Sequence, residues 1–486
     1  MINTNLLEII RTFSADEMKK FEEMIRSPYF NKNNPLIKLF EQIKKQYPKL
    51  KSVNLKKEDI YLKMFPDKKY NYGSMKNIIY DLQKLCEKFI VIQEMTLDEF
   101  DVNRYLINGL RNKKLTNLYE KKLKELDISL KGKEFIDDKY FLKMYLQNEI
   151  KQNVIFDNSK SNIHIKENIR TPYFEQHIVS SAYIKKYYLL DTLRTFNFII
   201  TNKNILDLKS VIKNCDEFIN ENKDNFNEQT LDIEYRFLKL NLGRITDKEF
   251  LYLKLLTIKE LYEMKANENV IYAYSVYLLN YCRVKNHTDN QYITHAFDIV
   301  KSIVANDNCD TDHGYMNLIL ARNIILISTQ LNEFHWCDNF LKLQMKRIHP
   351  DYRDSIMNFY NANKYFYEGK FGKSLEHLAG MNNDDIFNKN YIKELTILNY
   401  YELKYFDLLN EQIDSYKKFI INNEMFPDSY KVRTKKFVDY LYKLFKAASE
   451  KKKDLHLLRK DINNEEGLLY KTWLIEKLNE LESLNK

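Results

Sequence analysis

The chain has 486 residues, 44% of them apolar, which is enough to bury a large core and excludes disorder as the default expectation. Only nine glycines and seven prolines occur, too few for the turns of an all-β or doubly wound α/β protein, so composition predicts an all-α protein. The net charge of +9 is a small excess among 77 basic and 68 acidic residues, and it implies neither a nucleic acid nor an anionic membrane partner.

The N-terminal segment begins with a well-marked helix start. Ser14 followed by Glu17 is a capping-box pattern, which predicts a helix running to about Arg26. Pro35 suits the first turn of a second helix, because the amide hydrogen that proline lacks is left unpaired there anyway. The stretch R-S-P-Y-F-N-K from Arg26 resembles the opening of helical bacterial proteins that have no assigned activity. That resemblance supports a separate N-terminal module and implies no function.

A short helix, a turn and a long helix complete this module. The pattern predicts helices near residues 58–65 and 73–95 with a turn at 66–71 between them. In the long helix, apolar residues recur at steps of three and four, which places them on one buried stripe. These residues are Ile78, Leu82, Leu85, Phe89 and Ile92. We therefore expect residues 1–95 to form one helical module.

The same helix, turn and helix also permit a nucleic-acid interface. If the second helix entered a major groove, its first turns would present Ser74, Lys76 and Asn77 to base edges. Lys68 and Lys69 in the turn would then lie near phosphates. The turn is longer than the three or four residues of a tight helix-turn-helix, and neighbouring acidic residues dilute the positive charge. Nucleic-acid binding is therefore the alternative to a docking or capping role for this module.

From about residue 100 the chain is a run of helical segments separated by short polar breaks. The breaks are rich in Asn and Asp and mark loops, not linkers between independent domains. The segments predicted to be helical are 104–128, 137–154, 172–198, 206–221, 230–241, 247–265 and 268–284. We expect residues 96–310 to form an array of helical hairpins.

Two similar segments lie in the C-terminal third. Residues 363–378 match residues 400–416 when Tyr367 is aligned with Tyr401, a separation of 34 residues. That separation is the tetratricopeptide period. In this alignment Leu403 stands opposite the glycine of the first segment.

The first segment resembles a tetratricopeptide repeat position by position. Small residues stand at Ala362 and Ser374, aromatic residues at Tyr365 and Phe371, and the turn glycine at Gly369. The resemblance is clearest over residues 315–421. It implies an α-solenoid of stacked helical hairpins, with residues 311–486 forming repeats and C-terminal capping helices. Protein binding is the common role of solenoids of this type.

Patterns that carry catalysis or cofactor binding are not found. Gly372-Lys373-Ser374 ends like a phosphate-binding loop, but Tyr367 stands where that loop needs a glycine. The stretch 308–314 gathers metal-ligand types, but it lacks calcium-loop spacing and offers a single Cys and His for zinc. A polar loop is the simpler interpretation. We therefore predict a protein that is not an enzyme and holds no cofactor or metal.

Two functions from different classes remain. The first is an interaction scaffold, in which tyrosine-rich helices line a solenoid groove that binds a peptide or partner helix. The second is a nucleic-acid-binding regulator that uses the N-terminal module, with the solenoid as a sensor or dimerisation domain. The sequence leaves the partner and the oligomeric state open.

The cysteines and the hydropathy pattern bear on location. Five scattered cysteines, never in a CxxC pair, suit free thiols in a reducing compartment. The longest apolar run, residues 270–279, is about half of what a membrane span needs. Residues 1–11 lack the basic start of a secretory signal. These observations predict a cytoplasmic protein without a membrane partner.

Overall fold

The computed structural model is helical throughout the part of the chain that it describes. Within those residues no β-strand forms and no helix is long and apolar enough to cross a membrane. The described residues are 4–47, 56–133, 139–160, 167–202, 208–286, 289, 291–307, 309, 315–381, 386–426, 428–449, 455–465 and 467–484. The all-α prediction is therefore confirmed for these residues.

The chain divides into two compact units. Unit 1 consists of Met1–Lys131 and Leu146–His177, and unit 2 of Gly132–Tyr145 and Ile178–Lys486. The helices that lie wholly in unit 1 are α1 (Thr4–Thr12), α2 (Ala15–Arg26), α3 (Asn34–Lys44), α4 (Lys57–Met64), α5 (Tyr72–Leu97), α6 (Glu99–Asn112) and α7 (Thr116–Leu130). The next two, α8 (Tyr140–Lys160) and α9 (Glu167–Thr201), contribute residues to both units.

Unit 2 continues the succession of helices to the end of the chain. A five-residue π-helical stretch, Leu256–Glu260, joins two of these helices. The helices of unit 2 that follow α9 are α10 (Leu208–Asn222), α11 (Gln229–Asn241), α12 (Asp247–Leu255), α13 (Leu261–Glu263), α14 (Glu268–Lys285), α15 (Gln291–Ala305), α16 (Leu318–Gln330), α17 (Phe334–Gln344), α18 (Arg353–Tyr367), α19 (Phe371–Ala379), α20 (Ile386–Glu402), α21 (Phe406–Ile421), α22 (Asp428–Ser449), α23 (His456–Asn464) and α24 (Lys471–Leu484). Neighbouring helices pack in pairs such as α18 with α19 and α20 with α21.

The N-terminal helices surround one hydrophobic core that runs from Leu6 to Phe89. The predicted capping box is present, since the Ser14 backbone amide donates to the Glu17 carboxylate and the Glu17 amide donates to the Ser14 hydroxyl. Four residues of the predicted α5 stripe are buried in this core, and Ile92 packs against its edge. The amphipathic pattern of α5 therefore accounts for its place in unit 1.

Six short turns share one hydrogen-bond pattern and reverse the chain between helices. At Gly369, φ is +75°, the Gly369 amide donates to the Phe366 carbonyl and the Lys370 amide donates to the Tyr365 carbonyl. This is the Schellman helix ending, which pairs carbonyls that a helix terminus would otherwise leave unpaired. The same pattern recurs around Lys114, Gly243, Lys265, Asn332 and Lys404.

These turns correct the sequence alignment of the two similar segments by one residue. Lys404, with φ of +61°, takes the turn position of Gly369, and its amide donates to the Tyr401 carbonyl. The equivalent turns are thus 35 residues apart, and Leu403 is the residue before the turn position. Because Leu403 does not adopt positive φ, the lack of glycine at that position carries no backbone strain.

Candidate functional site

The five residues that carry the tetratricopeptide resemblance hold the α18–α19 hairpin together. Ala362 is buried at the helix contact, and the buried Ser374 hydroxyl donates to the Ala362 carbonyl at 2.8 Å. Tyr365 and Phe371 pack on aromatic rings of the same hairpin, and Gly369 forms its turn. These contacts all lie within the α18–α19 hairpin.

The Gly372-Lys373-Ser374 sequence lies at the start of α19. The Ser374 hydroxyl also accepts a hydrogen bond from the Asn399 side chain at 3.1 Å, so it is occupied within the core. The Lys373 ammonium lies 5.6 Å from the ring centre of Tyr365. A phosphate-binding loop needs an available hydroxyl, and the Ser374 hydroxyl is already bonded to Ala362 and Asn399.

Amide and tyrosine side chains connect the helices of the C-terminal hairpins. The Tyr391 hydroxyl on α20 donates to the Asn363 side-chain oxygen on α18 at 2.5 Å. The Asn390 amide on α20 donates to the Tyr430 hydroxyl on α22 at 2.8 Å, and Asn390 accepts from Tyr416 at 3.1 Å. These hydrogen bonds join the polar faces of α18, α20 and α22.

Two side chains near these faces are accessible to water and yet desolvated. Tyr367 is 39% exposed, but burial raises the pKa of its hydroxyl to about 12, helped by the charge of Glu476. Arg283 is also exposed, but burial lowers the pKa of its guanidinium and the positive charge of Arg433 lowers it further. An exposed side chain whose pKa is shifted by burial has protein atoms on several sides, as at a concave surface, which we call a recess.

Tyr470, which precedes α24, interacts electrostatically with several groups around this recess. Burial is the largest cause that raises the pKa of Tyr470 well above its usual value. The charges of Glu394, Tyr391, Tyr367 and Tyr430 raise it further. Its side chain is partly accessible, like those of Tyr391 and Tyr430. We define the tyrosine recess as Arg283, Tyr367, Tyr391, Glu394, Tyr430, Arg433 and Tyr470.

The two arginines of the recess differ from the others in the chain. The sequence has 14 arginines, and the structure describes every side chain except that of Arg170. Eight of them form hydrogen bonds or ion pairs, and three others interact with neighbouring residues. Arg283 and Arg433 form neither a hydrogen bond nor an ion pair with any described residue, and Nε of Arg433 is buried. Their positive charges are therefore not compensated by described side chains.

Glu394 brings a carboxylate to the same recess. It is 8% exposed and makes no hydrogen bond or ion pair with the described residues. Burial raises the pKa of Glu394 from 4.5 to about 7. The charge of Glu394 contributes to the raised pKa values of Tyr416 and Tyr430, whereas Tyr430 also interacts electrostatically with Arg283. The recess thus contains one buried carboxylate, two guanidinium groups and four tyrosines.

The five N-terminal residues predicted to contact nucleic acid are all exposed. Lys68 and Lys69 lie in the turn between α4 and α5, and Ser74, Lys76 and Asn77 lie in the first turns of α5. The Ser74 backbone amide is capped by the Asn71 side chain, which leaves the Ser74 hydroxyl outside that bond. The structure brings these five residues to one end of α5, away from the core of the N-terminal helices.

Metal ligation has little support in the described part of the chain. No group of three or more His, Cys, Asp or Glu side chains there is placed to hold a metal ion. Residues 308–314, which gather metal-ligand types, lie outside the described residues, apart from the buried Cys309. Burial raises the pKa of the Cys337 thiol to about 11, so this group would stay protonated at neutral pH.

The chain matches no family model, no curated protein and no solved structure. The resemblance to tetratricopeptide repeats therefore rests on its own residues. The recess residues were not predicted as a site, because their accessibility and lack of partners depend on helices far apart in the sequence. The sequence feature that could have drawn attention to the two arginines is the scarcity of arginine, with 14 residues against 63 lysines.

Proposed function

We propose that the protein is a non-enzymatic interaction protein whose C-terminal helical hairpins stack as a tetratricopeptide-like array and bind a peptide or partner helix in the tyrosine recess. The observation that carries this proposal is the accessible but desolvated pair Tyr367 and Arg283. A ligand that enters such a recess displaces water already in contact with protein on several sides. Its polar groups then interact in a medium of lower dielectric than bulk water.

The chemistry of the recess suits a peptide. Tyrosine offers a large apolar ring and a hydroxyl at low conformational entropy, and it is common in protein-binding surfaces. The asparagine and tyrosine bonds between α18, α20 and α22 hold these side chains in place before a ligand arrives. Such preorganisation lowers the entropy lost on binding.

Replacing Tyr367 by alanine is expected to weaken peptide binding about tenfold, which corresponds to about 1.4 kcal/mol. Peptides would be selected from a random-peptide display library on the full-length protein, and their dissociation constants measured by fluorescence anisotropy. Tyr367 is 39% exposed, so its truncation should leave the fold intact. Binding should weaken because the substitution removes an accessible aromatic surface from a desolvated site.

The matched control is Tyr442→Ala. Tyr442 is 40% exposed and lies nine residues after Arg433 on α22, about two and a half turns, which places it on the opposite side of that helix. It should bind the selected peptides like the wild type. Equal binding by both variants would exclude the recess as the binding site, and failure to recover any peptide would count against the proposal as a whole.

We keep nucleic-acid binding by the N-terminal helices as a second candidate, in which the C-terminal hairpins act as a sensor or dimerisation domain. The observation that favours it is the common exposure of Lys68, Lys69, Ser74, Lys76 and Asn77 at one end of α5. The first turns of α5 bury Met75 and Ile78 in the core on one face, and the opposite, exposed face could enter a major groove.

Replacing Lys68, Lys69 and Lys76 by alanine should weaken duplex DNA binding of the full-length protein. Each lost phosphate contact should reduce the slope of log K against log salt by about 1. Replacing the exposed lysines Lys248 and Lys259 in unit 2 serves as the control. An unchanged slope in the triple variant, or no binding by the wild type at moderate salt, would eliminate this candidate.

A further inference from the structure

The uncompensated arginines of the tyrosine recess come from distant parts of the chain. Arg283 lies near the end of α14 and Arg433 lies near the start of α22, so 150 residues separate them. They are nevertheless close enough for the charge of Arg433 to lower the pKa of Arg283, in addition to the larger effect of burial. Two like charges oppose each other, and no described acidic side chain offsets the effect of Arg433 on Arg283.

Arginine is the informative residue type here. The chain uses lysine for most of its basic positions, 63 against 14, yet arginine stands at both recess positions. A guanidinium presents planar N–H donors that match an oxyanion through two parallel hydrogen bonds, which an ammonium does not. The buried Nε of Arg433 has no acceptor in the described structure, whereas buried donors in proteins are normally paired.

We infer that the tyrosine recess binds an oxyanion of an acidic peptide, held between the guanidinium groups of Arg283 and Arg433. Tyr430 interacts electrostatically with Arg283, and its hydroxyl already accepts from Asn390, so the two guanidinium groups are the donors assigned to the anion. A carboxylate and a phosphate share the chemistry that these groups recognise. The inference rests on the proposed peptide-binding function and adds the charge of the ligand to it.

The test compares pools of synthetic peptides on the full-length protein. One random pool contains Asp and Glu, a second has Asn and Gln in their place, and a third has phosphoserine in their place, all with amidated C-termini. A fourth pool repeats the amide composition with a free C-terminal carboxylate. The wild type should retain an oxyanion-bearing pool at least tenfold more strongly than the amidated neutral pool, and the strongest pool identifies the source of the anion.

Charge-removing variants connect this preference to the two arginines. Arg283→Gln and Arg433→Gln should each lose most of the preference for the oxyanion-bearing pool. Lys435→Gln removes the same charge from an exposed position on α22, the helix of Arg433, and should keep the preference. Arg283→Glu should favour a pool in which Lys and Arg replace the acidic residues. A variant that was merely unstable would lose binding to every pool and would not reverse the charge preference.

Failure of this inference differs from failure of the proposed function. If the neutral pool binds the wild type as well as the others and Tyr367→Ala weakens all pools, a peptide binds in the recess without an oxyanion contact. That result would overturn the inference alone. If no pool binds the wild type, both the inference and the proposed function are overturned.

Discussion

Replacing Glu234 by alanine is expected to lower the free energy of unfolding of unit 2 by about 3–5 kcal/mol. Glu234 lies on α11, is 1% exposed and joins three helices through its carboxylate. Oε1 accepts from Nε of Arg194 on α9 at 2.8 Å and from the Tyr274 hydroxyl on α14 at 2.8 Å. Oε2 accepts from Nδ2 of Asn197 at 3.1 Å.

The loss is large because alanine would remove the carboxylate that accepts from three donors, of which only Asn197 keeps a bond to the Glu234 backbone carbonyl, at 3.2 Å. Tyr274 is among the largest fully buried side chains and stacks on Phe237 at 4.0 Å between ring centres, so its hydroxyl has no route to bulk water. Asn197 is fully buried as well. Arg194 would also lose its ion pair with Glu234, whose side chain is buried, and breaking such a pair is costly.

Urea unfolding followed by tryptophan fluorescence measures this effect in the correct unit. The two tryptophans of the chain, Trp336 and Trp473, both lie in unit 2. Glu263→Ala, an exposed position in the same unit, should change the free energy of unfolding by less than about 0.5 kcal/mol. A Glu234→Ala loss as small as that of the control would show that this network contributes little to stability.

Local signals allowed much of the helix pattern to be predicted. The Ser14 capping box is confirmed by its two hydrogen bonds, and α11 and α14 begin and end within one residue of the predicted 230–241 and 268–284. Caps and amphipathic stripes act within one or two turns, so a single sequence contains the information needed to place them. The stacking of hairpins and the predicted domain limits stay predictions.

Turns without glycine or proline were harder to predict. The segment 104–128, predicted as one helix, is divided between α6 and α7 by a turn at Lys114 with φ of +59°. A lysine in the left-handed region gives no sequence signal, because the conformation is stabilised by the Schellman hydrogen bonds and the packing of α6 on α7. The one-residue shift at Lys404 has the same cause.

The candidate site depends on information that a sequence lacks. Arg283, Glu394 and Arg433 look like any of the many charged residues of the chain until the helices around them are placed. What distinguishes them is desolvation or a buried polar atom without a described partner, and that depends on elements far apart in the sequence. The tetratricopeptide positions were easier to recognise, because they repeat a local helix-turn-helix pattern.

Replacing Glu394 by glutamine is expected to stabilise the protein at pH 8 and to change little at pH 4.5. Burial raises the pKa of Glu394 to about 7 in the folded protein, so the folded state binds a proton that the unfolded state has already released. Stability therefore falls as pH rises from about 4.5 to about 7 and stays at the lower level above that window. A rise of the pKa from 4.5 to about 7 corresponds to roughly 3 kcal/mol.

The neighbours of Glu394 do not titrate in this window. Tyr391 on its own helix, Tyr416 on α21, Tyr430 on α22 and Tyr470 before α24 all have pKa values raised by burial, so they remain neutral through pH 8. Urea unfolding of the wild type and of Glu394→Gln across pH 4.5 to 8 should give curves that separate as pH rises. Parallel curves would show that the carboxylate is not desolvated.

A stabilising substitution at this position also bears on function. A carboxylate that lowers stability at neutral pH and has no described partner is expected where the charge serves binding, because sites are commonly kept at a cost in stability. We therefore expect Glu394→Gln to bind peptides selected on the wild type more weakly while it resists higher urea at pH 8. If the variant gains stability and binds these peptides unchanged, Glu394 is not a ligand contact, and binding in the recess depends on its tyrosines and arginines instead.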